Sequence, residues 1–277
     1  MGVKFMGASH NLRSSKIILW GIPLDETTSF RRGTYLGPER IRQCSYGLET
    51  YSPVFERDLS EVKFFDAGDI SLPRGKLEQS LKNIEKFAYS FLKRNFKLLS
   101  LGGEHLISLP LIKAASSVFP ELRVIHLDAH ADLRRKYLGN ELSHASVMRR
   151  VCEFLKPSNL YQFGIRSGLK EEFDFGKENT RFYPFSLEKV DKVIDELSSK
   201  PVYLSIDIDV IDPAFAPGTG TPEPNGITPK ELFNFLEKIK SLNLIAVDVV
   251  EVSPPNDTSD ITSLLVAKIV REILFLL

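Results

Sequence analysis

Short apolar runs alternate with amphipathic stretches along almost the whole chain. Residues 16–21 (KIILWG), 62–66, 97–101 (KLLSL), 124–132 (VIHLDAHAD), 160–164, 181–184, 201–209 (PVYLSIDID) and 244–250 read as strands. Between them, residues 38–48, 76–95, 106–119, 145–155, 187–197, 228–240 and 261–277 read as helices. Pro38 suits a first helical turn. In 76–95, Leu77, Leu81, Ile84, Ala88, Phe91 and Leu92 recur at helical spacing, a stripe for packing on a sheet, with Phe87 and Tyr89 as further packing residues. Thr228-Pro229-Lys230-Glu231 forms a capping box with proline at the first helical position. The last helix is apolar nearly all round after Lys268, so it is expected to be well buried or to meet another subunit. Strands alternating with helices predict an α/β fold whose mostly parallel sheet is covered on both faces.

Two connections are long. Residues 22–37 are polar and contain Asp25, Thr27, Thr28, Arg31 and Arg32. Residues 212–226 (DPAFAPGTGTPEPNG) are rich in proline and glycine. Loops of this size are either functional or plain surface connections.

The candidate chemistry sits where strands end. In a strand Asp128, His130 and Asp132 all point one way, because side chains alternate with period 2. Such groups repel one another and are costly to desolvate unless a cation joins them; the alternative is an exposed polar loop. Asp207 and Asp209 likewise share a face and need a cation, metal or arginine. His105 follows Gly102-Gly103-Glu104 just past a strand, a place where a lone histidine is more often structural than a ligand. His144 precedes a helix and Glu251 ends the last strand. His105, Asp128, His130, Asp132, Asp207, Asp209 and Glu251 all fall at or beyond carboxyl ends of strands, where ligands bind in parallel sheets. Four carboxylates around one divalent ion leave a net charge of −2, whereas two ions give neutrality. Oxygen and imidazole donors without thiolate suit Mn²⁺, and less decisively Zn²⁺, Fe²⁺ or Co²⁺. Two ions about 3.5–4 Å apart acidify a shared water, which implies hydrolysis.

Composition narrows the setting. No linker-like run divides the 277 residues, so one domain spanning 1–277 is expected. With 36 basic and 36 acidic residues the chain carries no net charge, and no footprint for nucleic acid is visible. Cys44 and Cys152 fit no metal or redox spacing and are expected to be buried thiols in a reducing compartment. Residues 1–15 lack the apolar core of a secretory signal, Met6 breaks the myristoylation pattern, and no apolar run reaches membrane-spanning length. A cytoplasmic protein without a membrane partner is expected.

Gly102-Gly103-Glu104-His105, Asp128-Ala129-His130-Ala131-Asp132 and Ser205-Ile206-Asp207-Ile208-Asp209 through Asp212-Pro213 together resemble the signature segments of the ureohydrolase family, which includes arginases and agmatinases. The resemblance implies a three-layer α/β/α fold and two Mn²⁺ per subunit. It places His105, Asp128, Asp132 and Asp207 on one ion, and His130, Asp128, Asp207 and Asp209 on the other. Asp128 and Asp207 would bridge. It further implies attack of hydroxide on a guanidinium carbon to release urea and an amine. Asp132 would pass the proton to the leaving nitrogen, and Glu251 would pair with the guanidinium. His144 would be a proton shuttle or substrate contact. Thr221 would support the site, or be an ordinary turn threonine.

Within the family the agmatinase branch is the better match. Gly21-Ile22-Pro23-Leu24-Asp25, Thr27-Thr28-Ser29-Phe30-Arg31 and Leu48-Glu49-Thr50-Tyr51-Ser52-Pro53 look like agmatinase segments. Leu133-Arg134 replaces the Ile-Asn by which typical arginases contact the substrate α-carboxylate. Glu104 stands where Asp is commoner, and Ala145 where glycine often follows the histidine. The implied reaction is agmatine to putrescine and urea, in polyamine biosynthesis, by a homo-oligomer (trimer or hexamer). Aminopropylagmatine, arginine or guanidinobutyrate are alternative guanidino substrates. A non-catalytic scaffold of the same fold and a mononuclear amide hydrolase are readings of other kinds. The basic run Arg134-Arg135-Lys136 would repel a cationic tail and is expected to point to solvent or a subunit contact. If it faces the site, an acidic guanidino compound gains ground.

Overall fold

The computed structural model describes residues 2–9 and 11–277. In chain order the elements are β1 (Ile17–Ile22), α1 (Gly37–Ser45), β2 (Tyr51–Ser52), β3 (Arg57–Asp58), β4 (Phe64–Asp69), α2 (Leu77–Leu92), β5 (Lys97–Gly102), α3 (Ser108–Val118), β6 (Arg123–Leu127), α4 (Val147–Val151), β7 (Leu160–Phe163), α5 (Lys170–Asn179), β8 (Arg181–Tyr183), α6 (Ile194–Leu197), β9 (Pro201–Asp207), α7 (Pro229–Lys238), β10 (Asn243–Val250) and α8 (Ile261–Leu276). Eight strands form one sheet in the order β4-β1-β5-β10-β9-β6-β7-β8, and every pairing in it is parallel. The short β2–β3 hairpin lies apart from it.

Period-2 alternation divides the core into two layers. Ile17 and Leu19 of β1, with Val202, Leu204 and Ile206 of β9, pack in one cluster with α1, α7 and α8. Ile18, Trp20 and Ile22, with Tyr203, pack in the other with α2, α3 and α4. The architecture is therefore three-layered, as the pattern and the family resemblance imply. Phe87 stacks on Trp20 with ring centroids 4.0 Å apart, while Tyr89 lies exposed.

Several boundaries differ from the sequence reading. The helix expected over 187–197 is a 3-10 turn, Glu188–Lys192, followed by the short α6. Leu187, Val190 and Val193 recur every third residue, the spacing a 3-10 helix aligns on one face. The helix expected over 145–155 shrinks to α4 after a 3-10 turn at His144–Ser146. The capping box at Thr228 is present, the threonine hydroxyl accepting from Glu231 N. Cys44 and Cys152 are free thiols, only partly buried.

The closing helix corrects a further expectation. It is buried within this chain from Ile269 to Leu276, yet it is not apolar throughout, because Arg271 and Glu272 are among the buried residues. Arg271 forms an ion pair with Glu272 and donates from Nη1 to Glu49 O at 2.8 Å, while Ser52 Oγ donates to the second Glu272 oxygen. These bonds tie the hairpin region to the helix, and neither charge can be removed alone without stranding the other. Glu272→Ala is therefore expected to lower unfolding free energy by about 3–5 kcal/mol in urea titration. Asp174→Ala, which breaks the exposed Lys170–Asp174 pair, should leave the midpoint unchanged. Equal midpoints for the two variants would contradict this account of the helix.

Candidate functional site

The four central strands of the sheet, β5, β10, β9 and β6, end side by side, and each delivers acidic or imidazole groups to one place. The chain fills this centre late: β6 is laid down apart from β5, and β9 and β10 enter between them. Crevices of this kind, beyond strand carboxyl ends where strand order reverses, are ligand sites in parallel sheets.

After β5 the chain turns at Gly103, where an added Cβ would lie 2.0 Å from Leu24 O, so only glycine fits. Glu104 then turns outward to the polar loop, its carboxylate accepting from Glu26 N (3.0 Å), Thr27 N (2.9 Å) and Thr27 Oγ1 (2.5 Å). Burial pushes its pKa up to about 7 against these bonds. Thr27 Oγ1 in turn accepts from His144 N at 3.1 Å, so Glu104 positions two loops at once.

Alternation along a strand is not what gathers Asp128, His130 and Asp132. β6 stops at Leu127, and the three residues lie in the connection beyond it. Asp128 Oδ1 accepts from its own neighbour His130 N at 2.6 Å, and Asp132 adopts a left-handed backbone at φ 53°. β9 likewise stops at Asp207, whose Oδ1 accepts from Asp209 N at 2.9 Å and starts a 3-10 turn. A tight turn after each strand does the gathering. Glu251 follows β10, also left-handed at φ 67°, with Oε1 accepting from His105 N at 2.7 Å. Non-glycine residues in that region carry strain that the surrounding structure must offset.

The side chains converge as two groups sharing one carboxylate. His105 Nδ1 lies 3.0 Å from Asp128 Oδ2 and 3.2 Å from both Asp132 Oδ2 and Asp207 Oδ2. His130 Nδ1 lies 3.0 Å from Asp209 Oδ2 and 3.5 Å from Asp128 Oδ1. Asp128 thus faces both groups, one oxygen to each. Asp207 stands only in the first group, its other oxygen being turned to Asp209 N.

These residues fit divalent cations. Asp128, Asp132, Asp207, Asp209 and Glu251 are all buried, and no lysine or arginine among the described residues forms a salt bridge with them. Burial, reinforced by Asp209 and Asp128, holds Asp207 well above the usual carboxylate range. Glu251 is raised the same way, although the His105 amide opposes it. His105 Nδ1 is a buried nitrogen with no hydrogen-bond partner among the described residues, aimed at three carboxylate oxygens. A metal would satisfy all of them together.

A cavity of about 160 Å³ opens above the cluster. His144 lines it, with Nε2 3.4 Å from Ser29 Oγ, and burial lowers its pKa, which favours the neutral imidazole. Thr221 Oγ1 donates to Asp209 Oδ2 at 3.3 Å, so it touches the cluster rather than serving only its turn.

Arg134 overturns the outward orientation expected for the basic run. It lines the cavity, its guanidinium 4.8 Å from the centre of the Tyr137 ring and Nε 3.3 Å from Oε2 of buried Glu172. Glu172, also bonded to Leu133 N and Leu169 N, draws the arginine inward; Arg135 and Lys136 are exposed as expected.

His126 is the neighbour that sequence reasoning passed over. It is buried in β6 and close enough to count with His105, Asp128 and Asp132 as a metal-ligand group. Gln162 Nε2 donates to its Nδ1 at 3.1 Å, which leaves Nε2 to donate to Asp128 Oδ2 at 2.9 Å. His126 therefore acts as a donor behind a ligand-type carboxylate. Its position in the same apolar run, two residues before Asp128, was the available signal.

The arginase family profile matches residues 15–276. An agmatinase of Bacillus cereus is 48% identical over 277 residues, covering 99% of this chain and 96% of that protein. A guanidinobutyrase of Pseudomonas aeruginosa is 35% identical over 93% of this chain and 85% of its own length. The solved structure of an agmatine ureohydrolase of Thermoplasma volcanium superposes with a TM-score of 0.90 at 32% identity, over 100% of this chain and 94% of that one.

The burial of so many acids has a consequence for stability. Asp207, Asp209, Glu251 and Glu104 bind protons more tightly folded than unfolded, so their contribution to stability falls as pH rises toward their folded pKa values, near 7 for Glu104. His105 and His130, raised by the same carboxylates despite burial, act in the same direction; His144 opposes. The metal-free protein should therefore melt lower at about pH 8 than at about pH 5.5, by roughly 2–4 °C for each net proton and pH unit. Added Mn²⁺ should raise the melting temperature most at the higher pH. A metal-free melting temperature that climbs with pH would contradict this electrostatic picture.

Proposed function

The chain belongs to the arginase family, and from that premise we propose that this ureohydrolase is an agmatinase that cleaves agmatine to putrescine and urea with two Mn²⁺ per subunit. Asp128 carries the reading: its two oxygens face separate histidine–carboxylate groups in a pocket with a large excess of buried acid. His105, Asp128, Asp132 and Asp207 would hold one ion, and His130, Asp209 and the shared Asp128 the other. Bound divalent ions supply Lewis acidity and bring the pKa of a water molecule down toward neutrality.

The remaining roles fall to side chains of this chain. Glu251, with one oxygen fixed by the His105 amide, offers the other to a planar guanidinium, a match of shape as well as charge. Both protons of the attacking water must finish on the leaving nitrogen, so that one cation enters as guanidinium and one departs as ammonium. Asp132, beside the reacting region, holds the first in transit. His144, kept neutral by burial and set at the cavity wall, relays the second. The wider setting in this reading is cytoplasmic polyamine biosynthesis by a homo-oligomer.

A second reading has one observation in its favour. Arg134 lines the cavity with a guanidinium that would attract a carboxylate on a substrate tail, and a guanidinobutyrase is among the relatives. The pair with Glu172 neutralises that charge and keeps agmatine ahead.

Urea release with Mn²⁺, measured on agmatine, arginine, guanidinobutyrate and aminopropylagmatine, tests both. Agmatine is expected to give the highest kcat/KM. Glu251→Gln should retain its metals and lose on the order of a hundredfold or more in kcat/KM, since it removes one charge of a buried pair. Arg134→Ala should shift preference further toward agmatine, by about tenfold or less for a partly exposed pair. Wild-type preference for guanidinobutyrate, lost in Arg134→Ala, would establish the second reading instead.

A further inference from the structure

Behind His105, on the side away from the carboxylates, lies a buried polar chain that the reaction does not use. β9 contributes Tyr203 and Ser205, two residues apart and so on one face, and β10 contributes Asp248, the register partner of Ser205. Ser205 and Asp248 are fully buried and Tyr203 nearly so. Ser205 Oγ donates to Asp248 Oδ1 at 2.8 Å, and Tyr203 OH donates to Asp248 Oδ2 at 2.5 Å. His105 Nε2 lies 3.1 Å from the same Ser205 Oγ.

A hydroxyl has a single proton. With that proton committed to Asp248, Ser205 can offer His105 only a lone pair, and the 3.1 Å contact then requires the hydrogen on Nε2. The other ring nitrogen is left bare, and it is the one facing Asp128, Asp132 and Asp207. Ser108 Oγ, 3.4 Å from Ser205 Oγ, does not change this. Were Ser205 to donate there instead, the buried Asp248 Oδ1 would lose its 2.8 Å bond from Ser205.

We propose that Asp248, acting through Ser205, is a positioning residue that fixes the His105 proton on Nε2 and so presents a bare Nδ1 to one of the two metal ions. The inference rests on the reading of His105 as a ligand. It adds why that histidine is competent to bind before any metal arrives. The parallel register of β9 and β10 sets the relay, so its geometry is as rigid as the sheet centre. His105 and His130 thus differ in kind. The first is backed by a buried serine–carboxylate relay, whereas His130 is partly exposed. The relay acts on one ion only.

Calorimetric titration of Mn²⁺ into metal-free protein separates the outcomes. Wild type should show two binding steps. Ser205→Ala should weaken one of them by about 10–100-fold and leave the other in place. Asp248→Asn should weaken the same step at least as much. Its new amide can donate to Ser205, which then donates to Nε2 and drives the ring proton onto Nδ1. Metal-free melting and far-ultraviolet circular dichroism establish that each variant is folded; if Asp248→Asn is not, Ser205→Ala decides. A folded variant in which both steps weaken alike, or neither does, overturns the relay. Wild type taking up fewer than two ions would overturn the two-metal reading itself.

Discussion

Mutual repulsion among buried carboxylates is the constraint on which this structure depends. Asp128, Asp132, Asp207, Asp209 and Glu251 are held within one crevice, and among the described residues the ion-pair contacts they make are with histidines. A mobile loop could relieve such crowding by moving its acids into water. Here the carboxylates hang from the ends of β6, β9 and β10, three of the four central strands of an eight-stranded parallel sheet, whose two apolar layers fix the strand ends. The sheet therefore maintains a charge arrangement that the chain alone disfavours, one whose cost bound divalent cations would offset.

The residues around the crevice show how closely its positions are specified. Asp132 and Glu251 both occupy left-handed backbone, and Gly103 admits no side chain. Glu104 holds the 26–27 segment, which in turn holds His144. His126, with Gln162 behind it, donates to the shared Asp128. His105, His126 and His144 are each tied by a hydrogen bond from farther out, the pattern expected where ligand orientation governs affinity. The cavity wall is less uniform. Arg134 and Glu172 set an ion pair there, a positive and a negative group side by side on the wall.

Much of this was legible in the chain. Apolar runs placed the strands, and the residues following them marked the crevice, because a parallel sheet exposes function at its carboxyl ends. What failed was local. Strand alternation does not extend through Asp128–Asp132 or past Asp207 to Asp209, where the backbone has already left the strand. Spacing alone does not distinguish a strand from the tight turn after it, since both bring residues two apart together. Arg134 was read from its own charge, and the partner that reverses its direction, Glu172, lies 38 residues onward. Asp248 and His126 were hidden inside apolar runs, where a polar residue is easily taken as a blemish in a strand. Arg271 and Glu272 were overlooked in the last helix for the same reason.

The central claim is that two cations share Asp128, and anomalous scattering at the manganese edge tests it most directly. Crystals grown with Mn²⁺ should show two peaks about 3.5–4 Å apart, one on either side of the Asp128 carboxylate, the first beside His105 and the second beside His130. A single peak, or none, in a crevice whose carboxylates keep the same positions would contradict it.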